Sequence, residues 1–289
     1  MKSHMRPAAP PSPIGLDAQA IVHRMACHDF AWDMTRALEL ALFRTYCVPS
    51  ISGLLDRTGE FAKRPQKRYD DTDLIVSTLM EEGYESEAGR AAIERINAIH
   101  GRFSIGNDDF LYVLSTFVFV PLAWFERFGR RRPTGEEREA VFAFWREVGV
   151  RMSIHDLPDT IGEFEDFHRE YARNHSVYAE SNRHVGDATR NLFASWFPSP
   201  LRPLVRAAIP ALLDETSRQA FGFREPPAWL SSTVIAALRI RGMLLRVLPA
   251  RRRPRLRTRM THRSYPKGWA LTDLGPPWIA GKDASRDGH

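Results

Sequence analysis

The sequence predicts an all-α protein, and three observations carry that prediction. Apolar residues recur at three- and four-residue spacing, as in Ala92, Ile96, Ile99 and Phe103, which is the period of an amphipathic helix. Helix-start chemistry sits at the edges of such stretches, Thr134-Gly-Glu-Glu137 being a capping box. Period-two alternation bounded by turn residues, the mark of strands, is scarce.

The elements follow in order. Ile21 to Leu42 is the first helical stretch, and Pro49 marks the junction after it by biasing Val48 away from helical geometry. Ile51 to Phe61 follows, ending near Arg64 and Pro65; Asp73 to Glu82 is closed by Gly83. The next helix runs from about Ser86 to Phe103, with His100 on its apolar stripe. Asn107 and Asp108 are natural caps for a helix starting at Asp109 or Phe110. Its apolar run, Phe110 to Phe125, is interrupted by Pro121 and spans 16 residues, short of the roughly 20 needed to cross a bilayer, so it reads as a buried core helix. The capping box starts a helix reaching about Met152. Thr160 to Glu163 starts another toward Arg173, and Ala188 to Trp196, Leu201 to Glu215 and Pro227 to Leu248 complete the set. No internal repeat is present.

Hydrophobic residues at 43% and charged residues at 26% over 289 residues fit a globular chain and exclude a disordered or multi-span protein. Cys27 and Cys47 are too few for a disulfide framework and point to a reducing compartment. Residues 1–17 read as a flexible Pro/Ala-rich leader without the apolar core of a secretory signal, 18–248 as the helical domain and 249–289 as an Arg-rich tail. Residues 239–263 hold ten arginines and no acid, which leaves about −4 of the +6 net charge for the rest. An apolar helix with spaced arginines, followed by a basic tract, fits peripheral association with an anionic membrane surface. The expected location is cytoplasmic, at such a surface. Nucleic acid is not the expected partner, because no aromatic interleaving, helix-turn-helix or zinc module accompanies the arginines.

Phosphate-binding loops, dinucleotide fingerprints, metalloprotease helices and serine-hydrolase elbows are absent from the sequence. His168 and His175, seven apart, read as exposed. Arg68 and Thr72 are four apart and share a helix face. His100, followed by Gly101, reads either as a core histidine with a satisfied hydrogen bond or as an iron ligand. Asp70, Asp71 and Asp73 suggest, as a rival class, the magnesium and diphosphate site of a helical terpene cyclase, with solvated capping carboxylates as the other reading of Asp70 and Asp73. The downstream Asn/Ser/Glu triad of such an enzyme is missing, since Asn174 is followed four residues later by Tyr178. Asn107, Asp108 and Asp109 read as helix-start residues.

The segments FRTYCVPSISGLL, RTGEF, KRYDDT, RINAIHGRFSIGNDDFLYVLSTF, ERFGRRRPTGEER and FWREVGVRM resemble the MpaB-type oxygenase family, which includes the rubber-cleaving latex clearing proteins. The likeness runs from about Leu42 to Asn191. It implies an all-α, globin-like bundle around a haem pocket, haem b as cofactor, and dioxygen chemistry on a small hydrophobic, unsaturated substrate. His100 is then the axial iron ligand, and Arg68 and Thr72 border the haem as catalytic and cofactor-binding residues. Neutral imidazole ligates iron well and leaves the second axial position open for dioxygen. A guanidinium suits a propionate or a bound oxygen species. Leu114, Phe117 and Phe119 wall the pocket or belong to the ordinary core.

Two departures bear on substrate. Rubber oxygenases carry a lysine where this chain has Asp71, and a glutamate where it has Ser52, with Glu60 nearby but out of place. A smaller lipophile than polyisoprene is expected. The alternative outside enzymology is a protein that binds haem or a lipophile without turnover.

Overall fold

The computed structural model describes residues 17–249 and 251–276, which contain helices and no named strand. The leader read at 1–17 lies outside the described residues except for Asp17, as does the tail beyond 276. α1 (Ala18–Arg24) runs through a single π turn into α2 (Ala31–Thr45); α3 (Pro49–Thr58), α4 (Glu60–Lys63) and α5 (Pro65–Glu82) follow. Then come α6 (Glu87–His100), α7 (Asn107–Phe128), α8 (Gly135–Arg151), α9 (Ile161–His175), α10 (Glu180–Ser195), α11 (Arg202–Ala208), α12 (Glu215–Phe221) and α13 (Ala228–Val247).

Local chemistry sets most boundaries. The capping box of Thr134 with Glu137 forms as read, and Thr160 with Glu163 forms a second one where a helix start was expected. Pro49 and Pro65 occupy the first turns of α3 and α5, where the missing N–H costs nothing. Three expectations are corrected. α7 begins at Asn107 with Gly106 at the cap, so Asn107 and Asp108 lie inside its first turn, and the helix continues through Pro121. The stretch from Leu201 to Glu215 is not one helix, because Pro203 and Pro210 sit at the starts of α11 and a 3-10 turn and divide it.

α7 is the hub. It packs on α2, α8, α9 and α13, burying Leu111, Leu114, Val118, Leu122 and Phe125 in the main core; Phe30 and Phe125 stack at 4.2 Å. Burying such side chains contributes roughly 1.5–3 kcal/mol each. The carboxylate of Asp33, 2% exposed, accepts from Trp124 Nε1 at 3.0 Å and from Arg241 Nη1 at 2.8 Å, which satisfies a charge otherwise too costly to bury. A second cluster joins Phe43 of α2, Cys47 of the turn after it, Phe61 of α4, Val185 of α10 and Phe221 of α12. His168 was read as exposed; it is buried, with Nδ1 2.8 Å from Ser115 Oγ, because α9 turns that face onto α7.

α13 meets the body along a narrow line. Gly242 lets its backbone approach the end of α7, where a Cβ would fall 2.5 Å from Phe128 O. Its outer face leaves Trp229, Met243, Leu244 and Val247 exposed, the last at 82%. Of the chain after it, residues 251–276 dock on α5, α6 and the π turn instead of trailing into solvent. Arg255 N donates to Cys27 O at 2.8 Å and Arg95 Nε to Leu274 O at 2.8 Å.

Candidate active site

Helix α5 presents two working faces. Arg68 and Thr72, one turn apart, look toward α2, α4 and α10; Asp70 and Asp73 lie on the far side. Arg68 Nη1 donates to Thr72 Oγ1, and that hydroxyl donates to Arg68 O at 3.1 Å. The Arg68 guanidinium also lies over Phe61, 5.6 Å from the ring centre.

Both residues border a cavity of about 20 Å³ shared with Glu39, Tyr46, Tyr69 and Thr189, room for about one water molecule. Glu39 is 9% exposed. Its Oε1 accepts from Arg36 Nη2 at 2.6 Å and from Tyr69 OH at 2.6 Å. Burial pushes the Glu39 carboxyl up to about 7, against the opposing effects of Arg36 and Tyr69. It can therefore give or take a proton near neutral pH. Sequence reading passed over Glu39, although a lone acid in Ala37-Leu-Glu-Leu-Ala41 is itself a signal.

His100 closes α6, and its ring centre lies 5.3 Å from that of Phe110. Nδ1 is buried without a hydrogen-bond partner, which corrects the reading of a satisfied core histidine. Burial first, and then the charge of Arg68, lowers its pKa to about 4, so the imidazole is neutral at physiological pH. Arg68 thus faces the one-water cavity and also acts electrostatically on His100, while His100 itself does not border that cavity. Leu114 and Phe119 are buried in the main core with Phe117 packed against them, away from the cavity.

Asp70 and Asp73 are not solvated caps, and Asp71 is buried between them. They sit within α5, with Asp70 2% and Asp71 5% exposed, and the tail takes them up. Asp71 receives Lys67 Nζ at 3.0 Å and Gly275 N at 3.0 Å, together with Tyr265 OH. Asp70 accepts from Ser264 N at 2.9 Å, and Asp73 pairs with Arg257. Ser52 is fully buried and donates to Asn182 Oδ1. Asp109 accepts from Ser50 and from Tyr171, each at 2.7 Å, tying the start of α7 to α3 and α9.

The family model for the catalytic domain of ER-bound oxygenase mpaB/B' and rubber oxygenase matches residues 34–246. The chain belongs to this MpaB and rubber-oxygenase family. The matched range runs from α2 almost to the end of α13 and contains Glu39, Arg68, Thr72 and His100. ER-bound oxygenase mpaB' of Penicillium brevicompactum is 28% identical over 251 residues, covering 80% of this chain and 59% of that protein. ER-bound oxygenase mpaB of Penicillium roqueforti (strain FM164) is 27% identical over 215 residues, covering 68% and 72%. The mpaB of Penicillium brevicompactum is 29% identical over 203 residues, covering 64% and 52%. The chain thus spans 59% of the first of these MpaB relatives.

Proposed function

We propose that this MpaB-family chain is a haem b-dependent oxygenase acting on a small, hydrophobic, unsaturated molecule with dioxygen. The observation that carries the reading is His100, a half-buried, neutral imidazole at the end of α6 whose Nδ1 is buried without a partner. This donor fits iron, since a neutral ring nitrogen is the form that ligates. Bound haem would supply the oxygen-activating chemistry. Arg68 would hold an anionic edge of the group by charge-assisted hydrogen bonds, with Thr72 Oγ1 fixing the guanidinium. The cavity beside Arg68 and Thr72 is water-sized, so loading requires the helices around it to part. Slower hydrogen exchange in α5 and α6 after haem addition would report that coupling.

The test is the absorption spectrum of the purified protein, oxidised, reduced and with carbon monoxide, beside His100→Ala. A Soret band that responds to carbon monoxide in the parent and is lost or shifted in the variant supports the reading. A protein that stays colourless after haem is supplied overturns it. Dioxygen uptake with candidate alkenes then separates an oxygenase from a binding protein without turnover.

Peripheral attachment to the cytoplasmic face of a membrane belongs to the same proposal. The exposed apolar face of α13, the arginines of 239–263 and the ER-bound names of the relatives support it. Because Arg257 is tied to Asp73, substitution of Met243, Leu244 and Val247 by serine is a cleaner probe than deletion of the tail. Retention on anionic vesicles should fall; unchanged retention would remove α13 from the proposal.

A further inference from the structure

A second concavity lies away from the α5 site, between α10, α11 and residues 222–227. It encloses about 1070 Å³ and is lined by five arginines, Arg183, Arg190, Arg202, Arg206 and Arg224, against one acid, Glu225. Beneath it, Asp187 is the shared partner of three of them: Arg190 Nη2 at 3.1 Å, Arg206 Nη2 at 3.3 Å and Arg183 Nε at 3.8 Å. One carboxylate cannot neutralise three guanidiniums, and the fold holds these like charges together at an energetic cost. Arg190 shows the imbalance most directly. Its side chain is 15% exposed, its Nε is buried without a hydrogen-bond partner, and its guanidinium is held over Phe223 at 4.2 Å from the ring centre.

The lining between the charges is apolar, made by Ala194, Pro203, Ala207, Pro210 and Phe223. Forked guanidinium donors are suited to phosphate oxygens, which they grip in pairs, and the apolar lining suits a carbon chain attached to that phosphate. We propose that this hollow is a binding site for the phosphate group of an amphiphile, either a lipid headgroup or a free organic phosphate. The flanking surface accords with a lipidic source. Phe197, Leu201 and Leu204, next to the hollow in sequence, are all exposed, and α11 packs against α13, whose apolar face is open to solvent.

The experiment uses the full chain and the variant Arg202→Gln/Arg206→Gln, both positions being exposed so that folding is retained. Arg190→Gln serves as a second variant and thermal melts as the control for structure. The probes are inorganic pyrophosphate, followed by calorimetry, and vesicles of phosphatidic acid in phosphatidylcholine, followed by sedimentation, with pure phosphatidylcholine vesicles as the uncharged reference. Loss of two charge-assisted contacts should weaken binding at least tenfold. Pyrophosphate binding weakened in the variants supports the site with a free phosphate as its ligand. Silence toward pyrophosphate, with phosphatidic acid retention that the variants lose, supports the site with a lipid headgroup as its ligand. Binding of neither probe overturns the proposal. So does vesicle retention that survives in both variants and is lost in Arg251→Gln/Arg252→Gln, since the attraction would then belong to the tail.

Discussion

Arg257 reaches back across 184 residues of sequence to Asp73, donating from Nε at 3.1 Å and again from Nη2 to the same carboxylate oxygen. The pair joins the tail to the face of α5 opposite Arg68 and Thr72. Asp70 and Asp71 extend the same seam through Ser264, Tyr265 and Gly275. The helix carrying the candidate site residues is therefore held from behind by a strap of irregular chain.

Arg257→Ala should destabilise the protein by about 2 kcal/mol, because it removes charge-assisted hydrogen bonds and leaves a largely buried carboxylate short of a partner. Arg259→Ala, at an exposed neighbouring position, should change stability by less than about 0.5 kcal/mol. Urea midpoints compare the two. Equal effects would mean that the strap contributes through its general positive charge and not through this contact.

The strap should also loosen with rising pH. His262 Nδ1 lies 3.8 Å from both Asp70 and Asp73. Burial alone would lower its pKa, but Asp70 and the carbonyl of Arg257 outweigh burial and raise it above the ordinary histidine value. A raised folded-state pKa means that the stabilisation is complete below about pH 6.5, the unfolded value, and is lost as pH climbs through the folded one. Asp70, whose pKa is lowered by His262, Ser264 and Gln66 against the effect of burial, stays charged over that window. The stability advantage of the parent over His262→Gln should accordingly be largest near pH 5.5 and shrink by pH 8.5 in paired thermal melts. An advantage independent of pH would show that His262 acts as a neutral hydrogen-bonding group.

What could be read in the sequence is what local chemistry determines. Thr134 and Thr160 start helices through side chains three residues away, and Arg68 meets Thr72 because one helical turn brings them together. Pro121 misled because a buried, heavily packed helix tolerates an interior proline that an isolated one would not. His168 looked like a surface residue because its neighbours along the chain are polar, whereas Ser115 and Tyr112 come from another helix. Asp70 and Asp73 looked solvated for the same reason, their partners lying in the tail. Glu39 enters the site only when α5 and α10 pack on α2, a condition no spacing rule expresses.

Glu39→Gln should stabilise the protein at alkaline pH. Its folded pKa of about 7 lies above the ordinary carboxylate value near 4.3, so the folded state holds a proton that the unfolded chain releases. Stability contributed by the neutral acid is present below the unfolded value and lost as pH rises through 7. Glutamine can still accept from Tyr69 and Arg36 without a buried charge. The variant should gain about 3–4 kcal/mol at pH 8 and only about 1 kcal/mol at pH 5, read as denaturant midpoints at both values. A variant less stable than the parent at pH 8 would show that the ionised carboxylate is well paired and that burial does not dominate.

Gly186 bears on the site through α10, the helix that supplies Thr189, Leu192 and Phe193 to the cavity. A Cβ at this position would lie 2.6 Å from Phe221 Cδ1 and 3.1 Å from Phe223 Cζ, and Phe221 is fully buried. Its ring has nowhere to retreat, so Gly186→Ala should push α10 away from α12 and cost about 1–3 kcal/mol, the usual range for overpacking. Phe221→Leu alone should be destabilising through lost packing. Combined with Gly186→Ala, however, it removes the atoms that clash, so the double variant should lose less than the sum of the two single losses. If the effects simply add, α10 and α12 are not in steric contact at Gly186, and the position of Thr189 in the cavity does not depend on that glycine.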